Sequence, residues 1–338
     1  MAVKPVLSFT EKGIYCPAGD FYIDPWRPVP RALVTHGHLD HARPGHGAYL
    51  ATHAALPVIR HRLGAITADG IGYAEPRQIG AAQVSFHPAG HVPGSAQIRV
   101  AVGGEVWVVS GDYKLATDGL SEPFESVKCH TFITECTFGL PVFHWPTQAQ
   151  TAADMAAWWG RNAANGRVSV MGAYGLGKAQ RIMAMLADHG LQGPIYTHGA
   201  VEPITQILRA QGYSLPPTTK VAGPVPTNAL VIAPPSALGS AWAAKLGPHA
   251  EAFASGWMAL RGVRRRRNLG TRFVISDHAD WDGLNSAIRA TGATRIFATH
   301  GYTTQFRRWL EAQGYDAGIV ATEWQGEAAE GEPEANPE

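Results

Sequence analysis

Residues 36–41 read His-Gly-His-Leu-Asp-His and follow directly on an apolar run, Ala32-Leu33-Val34. Four metal-ligating side chains, His36, His38, Asp40 and His41, therefore crowd the end of an expected strand. Imidazole and carboxylate together suit Zn²⁺, with Mn²⁺ or Fe²⁺ second on ligand softness. One strand cannot aim all four groups at one ion. Alternate residues point the same way, so His36 and His38 can share one metal. Asp40 and His41, around the turn, can serve another. The spacing predicts two ions about 3.5–4 Å apart, the arrangement that supports in-line attack on phosphodiesters and other hydrolyses.

A dinuclear site needs more ligands, and the chain supplies them by a repeated pattern. Val84-Ser85-Phe86 leads through a short turn to Gly90-His91, and Glu105–Val109 ends at Ser110-Gly111-Asp112. Arg272–Ile275 ends at Ser276-Asp277-His278, and Arg295–Ala298 ends at Thr299-His300. Each time an apolar, β-branched stretch stops and a His or Asp follows beside a small residue. Strands delivering ligands to one edge of a sheet read this way.

These residues carry a resemblance. His36-x-His38-x-Asp40-His41, His91, Asp112 and the late His300 resemble the metallo-β-lactamase superfamily. Glu135 in Thr134–Gly139, the segment Ser276-Asp277-His278-Ala279-Asp280, and Thr299-His300-Gly301 resemble motifs A, B and C of its β-CASP branch, which acts on nucleic acids. The match spans roughly residues 15–305. The opening Tyr15–Trp26 and the Ser276–Trp281 segment are further similar to bacterial ligase-associated DNA exonucleases, whose gene sits beside an ATP-dependent DNA ligase and a helicase.

The resemblance implies an α/β chain: a metallo-β-lactamase αββα sandwich with an inserted β-CASP α/β cap domain. Residues 1–137 and 269–322 would form the lactamase domain, 138–268 the cap, and 323–338 a disordered acidic tail. It also implies a ligand set. His36, His38, His91 and Asp112 would bind one zinc; Asp40, His41, Asp112 and His300 would bind the other, Asp112 bridging. A hydroxide between two Zn²⁺ ions (Mn²⁺ as the alternative) would attack a phosphodiester, with Asp40 among the catalytic groups. His278 would protonate the leaving oxygen or stabilise charge on the phosphoryl group, oriented by Glu135, while Asp24 would hold a ligand or a strand end. Asp277 is read as either a second such acceptor or a turn residue. The implied activity is DNA exonuclease, in repair or end processing, with 5′→3′ polarity favoured by the resemblance alone. Its partners would be DNA and, functionally, the ligase and helicase.

Composition agrees with a nucleic-acid enzyme once the tail is separated. The formal net charge is +1 over 338 residues. Residues 323–338 carry six glutamates and no Lys or Arg, a composition that reads as solvated and disordered. The body then holds 28 basic against 21 acidic side chains, or +7. Arg261, Arg264, Arg265, Arg266, Arg267 and Arg272 concentrate this charge just before an expected strand. A solvated face is the ordinary reading of such a run; phosphate contact by Arg264–Arg267 is the reading preferred here.

A hydrophobic content of 45% can bury a large core. There is no apolar run long enough for a membrane span and no basic-then-hydrophobic leader, so a cytoplasmic chain is expected. Three sparse cysteines (Cys16, Cys129, Cys136), none in a Cys-x-x-Cys pair, fit reduced thiols and argue against a structural zinc site.

Residues 1–137 read as strand-rich. Helical spacing appears at Thr151–Asn162 (Met155, Trp158, Trp159) and Lys178–His189 (Ile182, Met185, Leu186), with strands at Arg167–Met171 and Ala229–Ile232. This alternation through about 140–268 predicts a separate α/β module with a parallel sheet. Two more strands, 272–276 and 295–299, would return to the first domain. Gly172–Ala179 imitates a P-loop, but Ala179 stands where Ser or Thr should bind Mg²⁺, so nucleotide triphosphate binding is not expected. Lys178 could still meet a DNA phosphate, and Ser236, Ser255 and Gly256 could line a terminal-phosphate pocket or simply form turns. Tyr174, Trp145 and Trp257 could stack on bases or pack. His46, His53, His61, His87, His130, His144, His189, His198 and His249 lack any such context and read as structural or surface residues.

Other functions compete. β-CASP ribonucleases share the motifs, and small-molecule ester or thioester hydrolases share the metal core. The long insertion and the arginine run argue against a small substrate. A ligand-competent but inactive scaffold is disfavoured because every expected ligand is present.

Overall fold

The computed structural model describes residues 5–260 and 270–322. These fall into two compact units. Of the described residues, the first is built from 5–117, 121–143 and 278–322, the second from Asp118–Leu120, 144–260 and 270–277.

Period-2 alternation makes the first unit. One six-stranded sheet runs in chain order: Ser8–Thr10, Gly13–Cys16, Phe21–Ile23, Arg31–Leu33, Ala48–Thr52, Ala68–Ile71. Along it Leu33 and Leu50 face one core, while Ala32, Tyr49 and Ala51 face another. A strand sends neighbours to opposite faces, so both faces of this sheet can be apolar only if both are covered. Helix Leu56–Leu63 covers the outer face through Leu56 and Ile59.

The second sheet has seven strands, ordered Asp316–Ile319, Arg295–Gly301, Thr131–Cys136, Glu105–Val109, Ala96–Val102, Ala82–Pro88, Arg77–Ile79. Val84, Phe86, Ile98, Val100, Trp107 and Ile133 meet Phe21, Ile23 and Leu33 of the first sheet in one core. Its outer face, with Val108, Phe132, Ile296 and Ala298, packs Leu284 and Ile288 of helix Trp281–Thr291 and Phe306 and Leu310 of helix Thr303–Ala312. The first unit is thus helix, sheet, sheet, helix. Glu105–Val109, Thr131–Cys136 and Arg295–Gly301 run parallel, so their C-terminal ends open at one edge. Loops outside the carboxyl ends of parallel strands are where ligands gather.

The second unit is a parallel six-stranded sheet, ordered Thr218–Lys220, Ile195–Thr197, Leu230–Ala233, Val168–Gly172, His249–Ala254, Thr271–Phe273. Helices Gln148–Ala164, Lys178–His189, Glu202–Ala210 and Ala241–Ala244 belong to it. The Thr147 hydroxyl caps the first of these by accepting from Gln150 N. One expectation is corrected here. The segment 272–276, expected as a strand of the ligand-bearing domain, contributes Thr271–Phe273 to this second sheet, in parallel register with Ala252–Ala254. Phe273 fills the core beside Trp158, which fixes the pairing; the strand ends before 274.

Trp159, 1% exposed, is the largest fully buried side chain among the described residues, and its indole N–H donates to Asn228 O at 2.9 Å. Trp159→Ala should destabilise the second unit by about 3–5 kcal/mol, read by urea denaturation under circular dichroism. A loss below about 1 kcal/mol would mean that the core closes over the gap. Among the described residues no helix is long and apolar enough to cross a membrane. Cys16, Cys129 and Cys136 are buried free thiols.

Candidate metal centre

At the edge where the parallel strands end, ligands from distant segments converge. His36 Nε2 lies 3.0 Å from His38 Nδ1, and His91 Nε2 lies 3.1 Å from the same atom. Asp112 Oδ2 stands 3.7 Å from His36 Nε2 and 3.8 Å from His91 Nε2. Ligand atoms of His36, His38, His91 and Asp112 all fall within 4.8 Å of one another. A second group, His41, Asp112 and His300, meets the same limit. In it His41 Nε2 is 3.4 Å from Asp112 Oδ2, and His300 Nδ1 is 3.6 Å from Asp112 Oδ1. Asp112 belongs to both.

The donor set fits divalent ions. Four ligands about 2.0–2.1 Å from a tetrahedral ion stand about 3.3 Å apart, within the range of separations seen here. Burial, then the neighbouring imidazoles of His41, His91 and His38, push His36 well below its ordinary pKa, leaving its lone pair free. Burial would lower His41 too, but Asp40, Asp112 and Asp24 outweigh it and hold that imidazole well above its ordinary value. Burial would raise Asp112, but His41 and His278 keep its carboxyl well below the usual range. A buried carboxylate cluster of this kind calls for positive charge. Asp40 Oδ1, His41 Nε2 and Asp112 Oδ1 are buried with no hydrogen bond to a described residue, as ligand atoms should be.

Asp40 stands beside the second group, with Oδ2 3.6 Å from His41 Nε2, and lines a cavity with Asp24, Trp26, His41, Arg43 and His300. Asp24 accepts from His41 Nδ1 at 2.8 Å, which fixes the tautomer that leaves Nε2 available. Asp24 is itself held by Thr35, through the amide at 2.8 Å and the hydroxyl at 2.6 Å.

Beside the ligands sits a second network. His278 Nδ1 donates to Glu135 Oε2 at 2.8 Å. Glu135, fully buried, also accepts from Tyr113 N at 2.8 Å and from the Thr137 hydroxyl at 2.6 Å. Three donors keep this carboxylate satisfied in the core and fix the ring of His278. His278 packs 4.6 Å from the His91 ring and lies 4.0 Å from Asp112 Oδ2. Asp112, Glu135 and His278 form a third grouping able to hold an ion.

Other sequence candidates fall as follows. Asp277 pairs with Arg181 at 3.2 Å, within the second unit. Asp280 caps helix Trp281–Thr291 by accepting from Gly283 N. Lys178 is buried with its ammonium 5.1 Å from the Tyr174 ring centre. Ser255, buried, accepts from Trp257 N as a cap, beside buried Gly256, while Ser236 is exposed. Arg261 and Arg264–Arg267 lie outside the described residues. His198 accepts from Ala200 N and packs on Trp242. Sequence reasoning missed Thr35, Tyr113 and Thr137. Each carried a local signal: Thr35 directly precedes His36, Tyr113 directly follows Asp112, and Thr137 stands two residues after Glu135.

No family model matches the chain. Its sequence is 29% identical over 311 residues to a probable DNA ligase of Opitutus terrae, covering 91% of this chain and 30% of that protein. It is 28% identical over 141 residues to RNase aCSPSF2 of Saccharolobus solfataricus, covering 41% of this chain and 28% of that one. An endoribonuclease ysh1 of Aspergillus fumigatus matches at 30% over 124 residues, 36% and 14% of the two chains. The chain thus spans less than a third of the length of each of these relatives. In fold it is similar to a solved protein of unknown function from Enterococcus faecalis, with TM-score 0.57 and 10% identity over 87% of this chain and 80% of the other.

Proposed function

We propose that this chain is a metal-dependent nuclease of the β-CASP branch of the metallo-β-lactamase superfamily, hydrolysing DNA from an end. The observation that carries the reading is Asp112, shared by two ligand groups and flanked by the Glu135–His278 pair. On this reading the first unit is the lactamase domain and the second the β-CASP domain. His36, His38, His91 and Asp112 would hold one Zn²⁺; His41, Asp112, His300 and Asp40 the other. When bound, two such ions supply Lewis acidity toward the phosphoryl oxygens and make water a nucleophile near neutral pH.

The chain's own residues do the rest. Asp24 keeps the His41 Nδ1 proton in place, so Nε2 stays a ligand atom. Glu135 keeps the Nδ1 proton of His278, so proton traffic on that ring runs through Nε2. His278 Nε2–H then gives its proton to the leaving oxygen, or hydrogen-bonds a nonbridging oxygen as charge builds. The burial of Glu135, Asp112 and the histidines limits bulk water and strengthens each of these interactions.

DNA is favoured over RNA by the extent of the likenesses. The relative named as a DNA ligase aligns along 91% of the chain, those named as ribonucleases along 36–41%. Action in DNA repair or end processing, beside a ligase and helicase and with 5′→3′ polarity, is proposed on the motif resemblance alone. The test is incubation with 5′- and 3′-labelled single- and double-stranded DNA and RNA, with Zn²⁺, Mn²⁺ or Mg²⁺. Mononucleotides released from the 5′ end of DNA are expected. Internal cleavage of RNA with DNA left intact would move the reading to a ribonuclease, and lactone or thioester hydrolysis without either would move it to a small-molecule hydrolase.

Nucleic-acid contact is proposed for exposed Ser236 and for Arg264–Arg267, whereas Lys178, Ser255 and Gly256 are buried. Replacing the four arginines by Gln should weaken DNA binding irrespective of sequence. The slope of log K against log salt should flatten by about 0.7–0.9 for each phosphate no longer neutralised. Hydrolysis of bis-p-nitrophenyl phosphate should hardly change. An unaltered salt slope would reduce the arginines to a solvated face.

A further inference from the structure

His300 reaches Asp112 through a break in strand geometry. Along Arg295–Gly301 the register with Thr131–Cys136 is regular up to Thr299 opposite Glu135, then slips, so that Gly301 pairs with Cys136 and His300 is the extra residue. An extra residue on one strand is a bulge, which re-aims a side chain. In a regular strand residue 300 would share a face with Ile296 and Ala298, which pack into the helix-side core. Instead His300 adopts φ +55°, left-handed backbone that a non-glycine residue enters at a cost. The surroundings must hold it there.

Cys136 touches this bulge twice. Its thiol donates to His300 O at 2.9 Å, and its carbonyl accepts from Tyr302 N at 3.1 Å. The two bonds bracket Gly301. That glycine sits at φ +84°, where an added Cβ would lie 2.3 Å from Cys136 O. Cys136 is fully buried and follows Glu135, so one strand end holds His278 by a carboxylate and His300 by a thiol.

We propose that Cys136 is a positioning residue: its S–H···O bond locks the His300 bulge and thereby preorganises the second ion's ligand group. The inference rests on the dinuclear reading above. Of the two clamping bonds only the thiol depends on the side chain, so substitution isolates it. Cys136→Ala removes the donor, Cys136→Ser keeps one, and Cys136→Val fills the space without donating.

The experiment is competitive chelator titration with Zn²⁺, on protein whose fold is verified by circular dichroism. Wild type should bind about two ions. In Cys136→Ala the ion of the His41–Asp112–His300 group should lose roughly 10–100-fold in affinity, the usual effect of removing a residue that orients a ligand. The ion of the His36–His38–His91 group should hold at its wild-type affinity, and Cys136→Ser should restore the other. If the Ala variant does not fold, Cys136→Val against Cys136→Ser gives the same comparison. Two ions bound at wild-type affinity in the donor-free variant would overturn the role of the thiol while leaving the dinuclear centre standing. A wild-type protein that holds a single ion would overturn the dinuclear reading itself, and this inference with it.

Discussion

Asp112→Ala should strip the centre of metal more completely than any other single substitution. Elemental analysis of protein purified without chelator is expected to give about two transition-metal ions per wild-type chain and fewer than about one in the variant. The reason is geometric. Asp112 presents Oδ2 to His36, His41 and His91 and Oδ1 to His300, so its loss opens both ligand groups at once. His38→Ala and His300→Ala should each cost one ion, because each ring belongs to one group. Nuclease activity of Asp112→Ala should fall to background. Two ions retained in that variant would remove it as the shared ligand.

His278→Ala is expected to separate chemistry from metal binding. Metal content should stay near that of wild type while turnover drops roughly 10²–10⁴-fold, the range for a positioned acid–base group. Glu135→Gln should show a smaller loss in the same direction. An amide oxygen at the Oε2 position can still accept from His278 Nδ1 and the Thr137 hydroxyl, but the NH2 at the Oε1 position then faces the Tyr113 N–H, donor against donor. If His278→Ala instead lost an ion, the 4.0 Å approach of Nδ1 to Asp112 would have to be read as ligation. Full activity would take His278 out of the mechanism.

What the sequence determined was local and periodic. The Lys178–His189 helix is bounded as its apolar spacing predicts, and the Glu105–Val109 strand as its β-branched run predicts. The His36–His41 cluster, His91, Asp112 and His300 announced themselves because each stands at the end of a strand or within a few residues after it. Chain direction then brings such residues to one sheet edge.

What the tertiary structure decided was pairing across long separations. Glu135 and His278 meet over 143 residues, and Cys136 and His300 over 164, which no local pattern encodes. The sheet to which Thr271–Phe273 belongs was settled by which core Phe273 fills, not by the arginines before it. Asp24 and Asp280 look alike as carboxylates directly outside a regular element, one after strand Phe21–Ile23 and one before helix Trp281–Thr291. One orients His41 and the other caps a helix, because only packing decides which donor a carboxylate can reach. The His300 bulge is the sharpest case. A sequence reads as strand to its last residue, whereas the redirected ring depends on a neighbouring strand that offers both a thiol and a carbonyl.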